Sequence, residues 1–256
     1  MTGFPRARTS VVGAATFGLG ECPDYNALEM TAQAGYLALD DAGIGLDEVD
    51  GLFVALPDDF LGGLAVAEYL GIRPKITDNN RTGGSSFMCH AIHAALALDA
   101  GLIDVALIAY GSNQRTASGG LMSALKSSVY ESPHNPMMPV GAYALAASRH
   151  MHEFGTTRQD LAHVAVAARA WANRNPEAFR QGDMSLDDVL GARMISTPLT
   201  ARDCCLVTDG AAAVVMTRAD RAADTRAPIP LLGGAQTVTH KEIAAMPDLT
   251  VTGAAI

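Results

Sequence analysis

The sequence predicts a layered α/β protein, and three observations carry that expectation. From Ser10 to Tyr110, apolar strand-like runs alternate with helical periodicity, as in strands joined by helical crossovers. The run from Leu107 to Tyr110, entered through Asp104-Val-Ala, is continuously apolar and suits a strand covered on both faces. Aromatic residues are only 5% of the chain while Ala and Gly abound, so elements can approach closely; a β-sandwich would carry more Val, Thr and aromatic residues.

Each element follows from its own pattern. Ser10 to Thr16 is a short apolar strand, followed by a Gly-rich stretch to Gly20. Asn26 to Ala42 spaces Leu28, Met30, Ala32, Tyr36, Leu37 and Leu39 close to helical period and stops at Gly43. Leu52 to Leu56 is a strand entered through the Asp50-Gly51 turn. Leu61 to Leu70 is a helix stopped by Gly71, and Lys75 to Asp78 a short strand. Phe87 to Ala100 is a helix apolar almost all round, which predicts burial on most sides. Gly111 to Gly141 is rich in Ser, Gly, Met and Pro, a long loop of the kind that carries function. Helices return at Ala142 to Phe154, after the Thr157-x-x-Asp160 capping pattern, and at Ser185 to Leu190. Leu206 to Thr217 is a buried strand behind the Asp209-Gly210 turn; Pro228 to Leu232 and Leu249 to Ile256 are further strand candidates.

Composition removes whole classes of function. A chain of 49% hydrophobic and 18% charged residues is not disordered. A net charge of -9, without a basic run, argues against nucleic acid and anionic membranes. No apolar run approaches the roughly 20 residues of a membrane span. The first ten residues hold two arginines but no apolar core, so no signal peptide is expected. Cys22, Cys89, Cys204 and Cys205 show no CxxC spacing, and the expected setting is a reducing cytoplasm.

The most informative segment is Asn79-Asn-Arg-Thr-Gly-Gly-Ser-Ser-Phe, a Gly/Ser turn running into the apolar helix. The first N–H groups of a helix lack partners and carry partial positive charge, so such a turn can hold an oxyanion. The bland alternative is a serine N-cap on an ordinary strand-to-helix turn. Packing competes with chemistry at the other clusters too. His90 and His93 have metal-ligand spacing beside Cys89, but their helix is apolar, which favours structural histidines; no metal is expected. Cys204 and Cys205 on a strand would point to opposite faces. His150 and His152 do not face each other on a helix. Met137 and Met138, between Pro136 and Pro139, suit the wall of a tunnel for an acyl or steroid chain. Arg115, Lys126 and Arg149 are candidate phosphate contacts, or plain surface charges.

Taken together, the motifs resemble the thiolase superfamily, especially its lipid-transfer-protein or sterol-carrier-type thiolases. The block from Asn79 to Gly111 resembles the family's nucleophile turn, central helix and following strand. Arg202-Asp-Cys-Cys-Leu-Val-Thr-Asp-Gly-Ala-Ala-Ala-Val-Val-Met is similar to its D-C-x-x-x-x-D-G-A-A-A-V-V segment, and Met151-His-Glu-Phe-Gly-Thr-Thr-Arg-Gln-Asp-Leu-Ala to a helix pair of its loop domain. The resemblance implies an α/β/α layered fold with a mixed, mainly parallel sheet. It implies a first-half core at 1–111 and 200–256, a helical loop domain at 112–199, and a family second half that is not in this sequence.

Two departures shape the implied function. Counting back from Gly101, the family's nucleophilic cysteine falls on Gly84, which cannot form an acyl-enzyme. Ser85, Ser86 and Cys89 are the nearest substitutes, with Cys89 expected to point into the layer. The family's G-H-P and C-x-G turns are also missing. The resemblance implies handling of acyl-CoA thioesters, nominally as an acyltransferase, with Gly83, Gly84, Ser85, Met137 and Met138 as substrate contacts and CoA thioester as substrate rather than bound cofactor. It leaves open a steroid side-chain type retro-aldolase working with an OB-fold/zinc-ribbon partner, and a non-catalytic acyl-CoA-binding scaffold. A homodimer is expected, paired through Leu107 to Tyr110 as an edge strand.

Overall fold

The computed structural model describes residues 4–57, 59–118, 129–134, 137–222 and 227–253. In chain order the helices and strands are β1 (Thr9–Gly20), α1 (Ala27–Ala42), β2 (Gly51–Val54), α2 (Gly62–Leu70), β3 (Ile76–Asp78), α3 (Ser86–Asp99), β4 (Val105–Ser112), α4 (Val140–Phe154), α5 (Arg158–Ala172), α6 (Leu186–Leu190), β5 (Met194–Ser196), β6 (Leu199–Thr200), β7 (Asp209–Arg218), α7 (Ala219–Ala222) and β8 (Ile229–Pro230). They fall into two compact units, Met1–Met122 with Val207–Gln236 and Ser123–Leu206 with Thr237–Ile256. The boundaries expected from sequence differ: the residues after 236 group with the helical unit instead of the strand core.

The first unit is a six-stranded mixed sheet in the order β3-β2-β4-β7-β1-β8. Parallel pairing is confined to β3-β2-β4, and the remaining pairs are antiparallel. Side chains alternate across the sheet. Leu52, Val54 and Leu107 join one core with α1 and α2, whereas Phe53 and Ile108 join a second core with Ala94, Ala95 and Leu98 of α3. Burying one such side chain contributes about 1.5–3 kcal/mol.

Local chemistry sets the helix ends. Asn26 caps α1 by accepting from the Glu29 N–H at 2.9 Å, and the Glu29 carboxylate accepts from the Asn26 N–H at 2.8 Å. Gly43 ends the helix in the left-handed conformation at φ 66°. Small residues let α1 press on the sheet: a Cβ on Gly13 would lie 2.3 Å from the Ala38 carbonyl oxygen, and one on Gly111 2.5 Å from that of Ala27.

Three expectations are corrected. Leu107 to Tyr110 is not an edge, because β4 lies between β2 and β7. A long uncharged strand leaves unpaired N–H and C=O groups unless both sides are taken, and here both are. The described part of Leu249 to Ile256 forms a turn rather than a strand. The α3 helix buries Cys89, His90, Ala94, Ala95, Ala97 and Leu98, yet leaves Met88 and Leu96 exposed instead of being covered on most sides.

The second unit holds α4, α5, α6 and the small β5–β6 hairpin. Thr157 and Ser185 open α5 and α6 with capping boxes to Asp160 and Asp188. Arg158 is tied to Asp203 at 2.9 Å, and the same carboxylate oxygen accepts from the Thr200 N–H at 2.6 Å and hydroxyl at 2.8 Å. No helix among the described residues is long and apolar enough to cross a membrane.

Candidate functional site

The turn from Asn79 to Ser86 leads from the C-terminal end of β3 into α3. In parallel α/β sheets that end of the strands is where ligands bind. Gly83 takes φ 75°, a conformation that L side chains rarely adopt. Gly84 has no such constraint, and a Cβ built there meets no atom within 4 Å, so the position is open.

Neither serine caps the helix. Ser85 makes no capping hydrogen bond. Ser86 is buried, and its hydroxyl donates to the Gly83 carbonyl at 2.7 Å and accepts from the Thr82 N–H at 2.9 Å. That hydroxyl folds the turn rather than covering the positive end of α3. Cys89 is buried at 7% exposure, with Sγ 3.4 Å from the Thr82 hydroxyl. Its recorded partner is thus a residue of the turn itself, and its burial contrasts with the open position at Gly84.

Behind the turn, His90 is fully buried, and its Nε2 lies 3.0 Å from the Asn80 carbonyl oxygen. Burial holds its pKa below the usual histidine value, against the opposing pull of Asp78 and of the Asn80 hydrogen bond. His93 pairs instead with Asp78, Nδ1 to Oδ2, at 2.6 Å. Burial works to raise the Asp78 pKa, but hydrogen bonds from His93 and the Asn80 N–H carry it below the usual value. The two histidines serve different partners, and no three metal-ligating side chains cluster among the described residues.

At the other end of the first unit's motifs, Asp209 is buried and fully bonded. It accepts from the Cys22 N–H at 2.8 Å, the Arg115 N–H at 2.9 Å, the Thr116 N–H at 3.2 Å and the Thr116 hydroxyl at 2.6 Å. Burial would raise its pKa, but these bonds outweigh it and hold the carboxyl below the usual range. One buried carboxylate therefore joins the end of β1, the segment after β4 and the start of β7.

The homologues of this chain are thiolase-fold proteins. Among curated proteins it is 31% identical over 231 residues to the 17-hydroxy-3-oxo-4-pregnene-20-carboxyl-CoA lyase of Mycobacterium tuberculosis, covering 86% of this chain and 60% of that protein. It is 29% identical over 238 residues to an acetyl-CoA acetyltransferase of Methanothermobacter thermautotrophicus, covering 89% and 61%. Among solved structures, an Ltp2-ChsH2(DUF35) aldolase matches with a TM-score of 0.85 at 28% identity, over 96% of this chain and 66% of that chain. A scan against protein-family models finds no match. The chain spans about 60% of the length of the curated relatives it matches.

In the structure the sequence-based candidates separate. Gly83, Gly84, Ser85, Ser86 and Cys89 share the turn and the first turns of α3, whereas Met137 and Met138 stand in the second unit just before α4, Met137 exposed. Arg115 is paired with Glu21 at 2.7 Å and with the Val207 carbonyl at 3.1 Å, and Arg149 with Glu153 on its own helix. Lys126 and Pro136 lie outside the described residues. Cys204 and Cys205 follow the turn at 201–203, in which Asp203 bonds back to Thr200, and are not on a strand. His150 bonds the Thr156 hydroxyl at 3.1 Å and stacks near Phe154, a local role at the end of α4.

Two features were missed in the sequence. The role of Asp209 was hidden, although its Asp-Gly-Ala-Ala-Ala-Val-Val context marked the segment. A groove of about 450 Å³ in the second unit is lined by Val164, Met184 and Leu206 with Arg169, Arg180 and Arg202. Its apolar wall beside three guanidinium groups suits an anion carried on an apolar body, but these arginines are scattered over 34 sequence positions (169 to 202) and form no motif.

Proposed function

We propose that this chain handles acyl-CoA thioesters as part of a carbon–carbon lyase of aldolase type, rather than as an acyltransferase. One observation carries the choice: the turn heading α3 is open and glycine-lined at Gly84, where a nucleophile would stand, and the nearest thiol, Cys89, is buried beneath Thr82. Acyl transfer needs a nucleophile that accepts the acyl group. Cleavage of a β-hydroxyacyl thioester does not. A base takes the β-hydroxyl proton, the oxygen's electron pair forms a carbonyl, the Cα–Cβ bond breaks, and its electrons pass to the thioester oxygen as an enolate. The enolate is then protonated at Cα. What the turn contributes is the positive end of α3, which no side chain caps and whose dipole favours the thioester oxygen as charge develops on it, even though the Ser86 and Met88 N–H groups bond the Gly83 and Ser85 carbonyls. The named activities of the lyase and aldolase relatives support this reading.

The acid and base groups of that sequence are proposed to come from protein beyond this chain. The matching aldolase includes a DUF35 component, which supports an OB-fold/zinc-ribbon partner. We further propose a homodimer in a reducing cytoplasm. The four cysteines are unpaired, and β3 is a sheet edge with one open side near exposed Phe60, Leu61 and Leu64. The test is product analysis. A β-hydroxyacyl-CoA incubated with the protein and its partner is expected to release a ketone or aldehyde and a shortened acyl-CoA. Exchange of acetyl groups between acetyl-CoA and free CoA, with no cleavage product, would sink the lyase reading.

A further inference from the structure

The substrate-facing turn is held from behind by a side chain that no reaction step uses. His90 stands on the second turn of α3, fully buried, with ring centroids of Phe53 and Phe87 at 6.2 and 5.9 Å. Its Nε2 lies 3.0 Å from the Asn80 carbonyl oxygen. A carbonyl oxygen only accepts, so Nε2 carries the proton and donates. Nδ1 is buried and has no partner among the described residues, so a second proton there would be unpaired in an apolar wall.

The other side of the same residue is also fixed, since the Asn80 N–H donates to Asp78 Oδ1 at 2.8 Å. Asp78 is itself set by His93 through its second oxygen. Asn80 is thus clamped at both backbone polar groups, two residues before Thr82, where Ser86 takes over. We propose that His90, with Asp78 opposite it, is the positioning residue for the Thr82–Ser86 turn: the neutral imidazole donates Nε2–H to Asn80 and so fixes where the open glycines stand relative to the end of α3. Its bearing on substrate rests on the reading of that turn as the thioester site.

The tautomer is tested on the unaltered protein. Nitrogen-15 NMR of labelled histidine is expected to show a buried, Nε2-protonated neutral ring; a ring protonated at Nδ1 alone overturns the proposal. Hydrogen exchange tests the clamp in two variants. His90→Leu keeps the apolar packing without the donor, and His90→Gln keeps an amide donor. Exchange over 79–88 is expected to rise about tenfold in His90→Leu, with β4 unchanged, and to return toward the original in His90→Gln, as loss of one buried hydrogen bond implies. No local rise, or an equal rise throughout the first unit, means that His90 only fills space. Calorimetry with acetyl-CoA separates this from the functional reading. Binding by the unaltered protein that weakens about tenfold in His90→Leu and recovers in His90→Gln supports both. Equal binding in all three overturns the positioning role for ligand. An absence of binding in the unaltered protein overturns the thioester reading, while exchange and NMR still decide the clamp.

Discussion

The sulfur of Cys89 lies 3.4 Å from the hydroxyl of Thr82, so the thiol nearest the head of α3 is engaged with the turn that leads into the helix. That thiol is buried, whereas the position at Gly84 is open. What remains at the turn is backbone: two glycines and an uncapped helix end.

The two glycines differ in what they tolerate. Gly83 needs φ 75°, so Gly83→Ala is expected to cost about 1–2 kcal/mol by urea denaturation. Gly84 has open space around it, so Gly84→Val is expected to fold with stability changed by no more than about 0.5 kcal/mol, as an unstrained surface substitution does. In calorimetry the same Gly84→Val protein is expected to lose acyl-CoA binding. Retained affinity would show that the turn faces no ligand.

Asp209 is expected to matter for the fold, not for chemistry. Asp209→Ala removes the acceptor for four donors and should destabilise by roughly 3 kcal/mol or more. Its folded carboxyl titrates below the unfolded value, so the stabilisation is present above about pH 4 and is lost as pH falls through the depressed value. An acid melt compared with Asp209→Asn checks the sign: the substituted protein should lose less stability over that acid range.

His90 gives a second, milder pH limb. Its folded pKa is lowered by burial, against Asp78, which faces it from β3, and with the added repulsion of His93 on its own helix. The unfolded chain then binds the proton more readily than the native one, so stability falls as pH drops below about 6.5 toward the folded value. Thermal melts between pH 7 and pH 5 should show this slope, and His90→Gln should flatten it.

The open edge of β3 leads to an assembly prediction. Light scattering at micromolar concentration is expected to give twice the chain mass. A strict monomer would remove the proposed pairing and leave the role of the turn unaffected.

Much of the first unit was legible because its signals are local. Asn26 with Glu29, Gly43, Gly71, and Thr157 with Asp160 each mark a helix end within a few residues. The place of β4 was not legible, since a continuous apolar run says that a strand is covered but not which strands flank it. At the turn, the run of Gly83 and Gly84 leading into an apolar helix was visible in the sequence, whereas the contact between Cys89 and Thr82 was not. The Asn80 clamp and the Asp209 junction were hidden, because each joins residues whose proximity depends on the folded backbone. Asp209 bonds Cys22 across 187 positions.

A turn that binds a thioester without ever being acylated is checked by incubation with acetyl-CoA, digestion and mass spectrometry of the peptide containing Gly84 and Cys89. Unmodified peptide is expected from the unaltered protein, with an acetyl group captured only in Gly84→Cys, where the open position receives a thiol. A stable acetyl group on Ser85, Ser86 or Cys89 of the unaltered protein would contradict the lyase reading at its root.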